Sequence, residues 1–133
     1  MGWWGINPWD NDGAADWYGD LFEATKLDER VEETLKLDAT TSHEEVRAAA
    51  ALLLALGRTY VWPIADLDRH LDLAANKLQE IINKGILSES EELVEEVRHE
   101  VAELRSRISA KYSGSPRSLS PNSPEKKWWQ FWK

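Results

Sequence analysis

The sequence has no cysteine, which excludes disulfides and thiolate-bound metals and suits a reducing compartment. It also has no apolar run near the roughly 18 to 20 residues needed to cross a bilayer. Its opening, Met1-Gly2-Trp3-Trp4, lacks the basic residues and cleavage site of a secretory signal, and Ile6 stands where N-myristoylation favours Ser or Thr. These absences point to a cytoplasmic body. Basic residues are in deficit, with 16 Lys and Arg against 24 Asp and Glu, for a net charge of −8. Four of the basic residues (Arg117, Lys126, Lys127 and Lys133) face only Glu125 from position 117 onward, so that tail is +3 and the remainder −11. A body of that sign repels phosphate backbones, which argues against a nucleic-acid partner. A basic protein partner is electrostatically permitted.

Catalytic patterns are missing as well. His43, His70 and His99 are isolated on three different predicted helices, without zinc-protease spacing. No nucleophile elbow or phosphate-cradling glycine loop occurs. The expectation is a non-enzymatic protein with no catalytic residue, metal or cofactor.

The 133 residues are 42% apolar, enough for one core. Met1 to Asp12 is aromatic and interrupted by Gly2, Gly5, Asn7 and Pro8, without a period of two or 3.6, and reads as a loop or arm. Asn11-Asp12 signals a helix start. Ala14, Trp17, Tyr18, Leu21 and Phe22 then form one helical face, continued by Leu27, Val31 and Leu35 with a break near Asp28, which predicts a helix over about 13–36. Ser42-His43-Glu44-Glu45 has the form of a capping box opening a helix over 43–56, with Gly57 as a left-handed stop. Its run Ala48 to Leu56 is apolar all round, which predicts the central, most buried helix.

Arg58 to Pro63 reads as a connector in which a short strand would find no partner. A third helix, 64–84, directs Leu67, Leu71, Ala74, Leu78 and Ile81 inward and ends at Gly85. Ser88-Glu89-Ser90-Glu91 has the form of a second capping box, opening a helix over 89–111 with Leu93, Val97, Val101, Leu104 and Ile108 on one face. The fold class expected is all-α: a four-helix bundle-like domain over 1–112 with an N-terminal aromatic arm and a disordered C-terminal tail. In that tail, 113–124 is a Ser/Pro-rich linker too polar to offset its ordering entropy, and 125–133 is an aromatic-basic motif.

Eight tryptophans are distributed unevenly. Trp3, Trp4, Trp9 and Trp17 lie near the start, Trp128, Trp129 and Trp132 at the end, and Trp62 alone between. Large aromatics favour burial with a polar edge satisfied, so the first group is expected to fold back and plug the bundle. Asp12, Asp16 and Asp20, four apart, would line one side of the first helix, where the helix dipole favours negative charge near the N-terminus. With Asp10 they also raise the alternative of an oxygen-ligand metal enzyme, but Pro8 and Gly19 stand where a calcium loop needs ligands.

The terminal motif places four aromatics in five positions between lysines. Lys126, Lys127, Trp128, Trp129, Phe131, Trp132 and Lys133 are the candidate partner-binding residues, with tryptophan as the anchor. Attachment to a membrane surface, where Trp and Lys are favoured together, is an alternative. So is packing on the chain's own bundle or on a second copy as a homo-oligomer.

The opening Met1-Gly2-Trp3-Trp4-Gly5-Ile6-Asn7-Pro8-Trp9-Asp10-Asn11-Asp12-Gly13-Ala14-Ala15-Asp16-Trp17 resembles the start of the bacterial family catalogued as domain of unknown function 4259. Its members open M-G-x-W-G-x-G-P-F-x-N-D-x-A-x-D followed by an aromatic. Gly2, Trp4, Gly5, Pro8, Asn11, Asp12, Ala14, Asp16 and Trp17 match, while Asn7 replaces a glycine and Trp9 a phenylalanine. The resemblance implies a small helical bacterial protein with no assigned chemistry, in which Trp4, Pro8, Trp9, Asn11, Asp12, Asp16 and Trp17 form one structural unit. The functional expectation is a protein-binding or adaptor protein acting through its terminal motif, with a toxin-neutralising protein that uses its acidic surface as the alternative.

Overall fold

Asn11 opens the first helix. Its side-chain oxygen accepts the Ala14 amide at 2.7 Å, pairing one of the amides that a helix start leaves free. In the computed structural model, which describes residues 5–112, five helices follow: α1 (Asp12–Thr25), α2 (Leu27–Leu35), α3 (His43–Leu56), α4 (Ile64–Asn83) and α5 (Glu91–Ser106). The fold is all-α, as the periodicity implies, and the described residues contain no strand. Trp4, the 113–124 linker and the 125–133 motif lie outside the described residues.

Several helix ends depart from the sequence reading. The single helix expected over 13–36 is two, because Lys26 adopts the left-handed conformation (φ 56°) two residues before the expected break. A lysine carries no glycine-like signal for that turn, so composition does not reveal it. Ser42 makes no side-chain cap for α3. The preceding turn is held instead by the Asp38 carboxylate, which accepts from the amides of Thr40 (3.1 Å) and Thr41 (2.9 Å). The cap of α5 is Ser90 rather than Ser88, accepting from the Leu93 amide at 3.1 Å, and the helix ends at Ser106, not 111.

Gly57 is not left-handed (φ −82°); glycine is needed because a Cβ there would strike the Leu53 carbonyl oxygen. Gly85, at φ 71°, does close α4 in the left-handed conformation. The Ile86 amide reaches Ile81 O and the Gly85 amide reaches Ile82 O, the paired bonds of a Schellman stop. The Arg58–Pro63 connector is a turn, with the Val61 and Trp62 amides both donating to Arg58 O.

The centre of the domain is α4, not α3. Both helices pack against three others, but α4 buries more: Leu67, Leu71, Ala74, Leu78 and Ile81 are all buried, joined by Ala75 and His70. Helix α3 buries Val46, Ala49, Ala50 and Leu53 but leaves Ala48, Ala51 and Ala55 exposed. Alanines let a helix read as apolar all round while burying only one side, because they carry little area to protect. Arg47 ties α3 to α5 through a two-pronged bond to Glu100 (3.0 and 2.7 Å), and Arg107 Nη1 donates to Leu54 O at 2.7 Å, closing the C-terminal end of α3. Helix α1 buries Phe22 alone and packs chiefly on α2, so one of its flanks faces a groove rather than a helix.

Candidate functional site

Trp62, His70 and Glu32 form a polar chain that runs from the core to its edge. Trp62 Nε1–H donates to His70 Nδ1 at 3.0 Å, and His70 Nε2 lies 2.8 Å from Glu32 Oε1. An indole nitrogen can only donate, so Nδ1 carries no proton and Nε2–H donates to the carboxylate. His70 is 1% exposed and has both ring nitrogens engaged. Its role is to join the connector, α4 and α2. Neither the 38-residue separation of Glu32 and His70 nor any local spacing marks this chain in the sequence.

At its outer end Glu32 also receives Arg69 Nη1 (2.7 Å) and Lys36 Nζ (2.8 Å), while Arg69 Nη2 reaches Asp66 at 2.8 Å. The Arg69 hydrogen bond holds the Glu32 carboxyl far below the usual carboxylate range; partial burial opposes this, and Lys36 and His70 reinforce it. Glu32 therefore releases its proton more readily folded than unfolded, and acid favours the unfolded chain. Its contribution is complete above the unfolded value of about 4.3 and fades as the pH falls below it. Glu32→Gln is expected to lower stability by roughly 1.5–3 kcal/mol at neutral pH, the range for hydrogen bonds to charged groups. In thermal melts the gap to the unsubstituted protein should narrow towards pH 3 (about one unit below that value), and a gap constant with pH would refute the assignment.

The N-terminal motif folds as one turn over its described residues. Asp10 accepts from the Asn7 amide at 3.0 Å and returns its own amide to Asn7 O. Asn11 Nδ2 donates to Pro8 O at 3.4 Å. A Cβ at Gly5 would meet the Asp10 carboxylate, so a side chain there would displace it from the Asn7 amide. Trp9 packs partly buried against the core, with the Arg58 guanidinium 4.6 Å from its ring centroid, a cation–π contact that ties the arm to the α3–α4 connector. Trp17 does not plug the bundle: it is 60% exposed and meets Tyr18 edge to face. Asp12, Asp16 and Asp20 lie exposed along α1, and among the described residues no three acidic or histidine side chains converge as a metal site would need.

Between α1 and the α3–α4 connector lies an open groove of about 530 Å³. Its floor is Trp62 and Phe22, edge to face at 5.0 Å between centroids. Ala15 and Gly19 leave the α1 wall low, and Ile64, 56% exposed, borders the other side. Sequence reasoning missed this groove. The available signal was Gly19, an isolated glycine inside a helical pattern, which commonly has a packing or functional reason.

The profile of a protein family described as a domain of unknown function (DUF4259) matches residues 2–111, which include the arm, all five helices and the groove. The chain belongs to this family. The match confirms the resemblance carried by the opening motif and extends it over the whole helical body of the DUF4259 domain. It stops at residue 111, so the terminal aromatic-basic motif lies outside the family-defining region. No curated protein and no solved structure matches the chain.

Proposed function

We propose that this DUF4259 protein is a non-catalytic protein-binding or adaptor protein whose motif Lys126, Lys127, Trp128, Trp129, Phe131, Trp132 and Lys133 docks on a partner protein. The observation that carries this reading is the motif's composition and place: four aromatics in five positions, among lysines, beyond the family-matched body. That body has its own closed core running from Phe22 to Leu104. Tryptophan anchors of this kind each contribute about 2 kcal/mol or more where they fill a pocket. We place the protein in the bacterial cytoplasm, with peripheral membrane contact through the tail as a lesser role; among the described residues no helix is long and apolar enough to cross a membrane.

Full-length chain and a Trp128→Ala/Trp129→Ala/Trp132→Ala variant, each immobilised, are compared for partners retained from the source lysate. The variant is expected to lose its partner, with affinity down by at least about 30-fold, while its helical signal stays unchanged. A partner retained by the variant would end this reading. It would favour the second one, a toxin-neutralising protein using the acidic α1 surface, where Asp12, Asp16 and Asp20 make no ion pair with another described residue. Such binding would weaken steeply with salt.

A further inference from the structure

The α1 groove combines an apolar floor with an acidic rim. Phe22 and Trp62, 3% and 2% exposed, lie at the bottom of the groove, Ile64 presents an exposed apolar edge, and a Cβ added to Gly19 would meet nothing within 4 Å, so the wall is open. Glu23, Asp28 and Glu29 line the groove against Lys26 alone. Asp16 and Asp20 occupy the adjoining exposed positions of α1, a helix with no basic residue. None of these five carboxylates forms an ion pair with another described residue. An occupant matched to this surface carries aromatic side chains flanked by positive charge.

The described chain ends at the same corner. The Ser109 amide donates to Asp68 of α4 at 3.0 Å. The Tyr112 amide in turn donates to Ser109 O at 3.0 Å, which keeps the last described residue beside that contact with α4. Ile64, at the groove, lies one helical turn before Asp68, about 6 Å along the axis. From Tyr112 the segment 113–125 can reach at most about 45 Å, so residues 126–133 come within range of the groove.

We propose that this groove is the intramolecular docking site of the chain's own terminal segment, Lys126–Lys133. Its aromatic side chains lie on the Phe22–Trp62 floor beside Gly19, and its lysines face Glu23, Asp28 and Glu29. A segment tethered this way has an effective concentration on the order of a millimolar, so an intrinsic affinity of about 0.1 mM keeps roughly nine chains in ten closed. The regulatory consequence rests on the partner-docking reading: a partner must displace the groove to capture the motif. Opening the groove should then raise apparent partner affinity up to about tenfold.

The test uses the full chain, isotope-labelled, with backbone amide and indole N–H resonances as readouts. The Trp128→Ala/Trp129→Ala/Trp132→Ala variant is expected to shift the amides of Gly19, Glu23 and Ile64 and leave those of α5 in place. Gly19→Leu, which fills the open wall and favours helix, should release the indole resonances of Trp128, Trp129 and Trp132 to their positions in urea. Glu23→Lys/Glu29→Lys gives the same result by charge, should Gly19→Leu perturb the helix. A peptide of residues 125–133 titrated into the triple-alanine chain should bind the groove and weaken at least tenfold with the charge-reversed rim.

Groove amides that ignore loss of the tail tryptophans would overturn the proposal. So would groove amides that respond to Trp3→Ala/Trp4→Ala instead, which would make the arm the occupant. Groove shifts that fade on dilution together with a dimer mass in ultracentrifugation would assign the site to a second copy's tail, and the intramolecular proposal would fall. Failure of the partner reading is separate: it shows as no captured partner with the groove resonances still tail-dependent.

Discussion

Trp62→Ala is expected to destabilise the domain by about 3–5 kcal/mol, the range for large aromatic truncations in a core. Trp62 is 2% exposed, although it lies in a turn between helices. Its ring packs on Phe22, and its indole N–H donates to His70 Nδ1. Truncation thus leaves a cavity and an unpaired buried acceptor together. Trp62→Phe separates the two effects, because it keeps most of the ring and removes the donor. It should cost roughly 1–3 kcal/mol, the desolvation penalty of an orphaned group. Urea unfolding at neutral pH measures both. A Trp62→Phe loss equal to that of Trp62→Ala would mean that the hydrogen bond, not the packing, dominates; two negligible losses would remove Trp62 from the core argument altogether.

Leu78→Ala in α4 should lower stability by about 2.7–5 kcal/mol, whereas Leu52→Ala in α3 should lower it by about 1 kcal/mol. The two substitutions remove the same atoms. Leu78 is fully buried in the helix that α2, α3 and α5 all pack against, so the surroundings cannot collapse onto the space it leaves. Leu52 is only partly buried at the edge of the core, where water already covers part of the side chain. Thermal melts of the two variants test whether enclosure sets the loss, and equal losses would mean that it does not.

Much of the helical body was legible because its signals are local. The α3 start at His43, the α4 stripe and the glycine that closes α4 each follow from contacts within one or two turns, and all lie where the sequence puts them. The opening motif was legible for a related reason. Asn11, Pro8 and Asp10 bond to neighbours three residues away, so the turn is written in a short string that identifies the family. The capping boxes misled because serine and glutamate at the right spacing make a cap available without requiring it. The Asp38 carboxylate holds the turn before α3, and Ser90 caps α5 in place of Ser88.

By itself the sequence determined the all-α class, the family, the acidic body and the separation of an aromatic-basic terminus from it, since each depends on composition or on short-range periodicity. The tertiary structure alone decided that α4 is the hub, that a lysine breaks the first helix, that Trp62, His70 and Glu32 meet, and that α1 stands off to leave an acidic, aromatic-floored groove. For the hub, the Glu32–His70 contact and the groove the reason is range: they arise from side chains tens of residues apart competing for one enclosed volume. Which of them meets which depends on how the helices pack together, and no single stretch of chain encodes that.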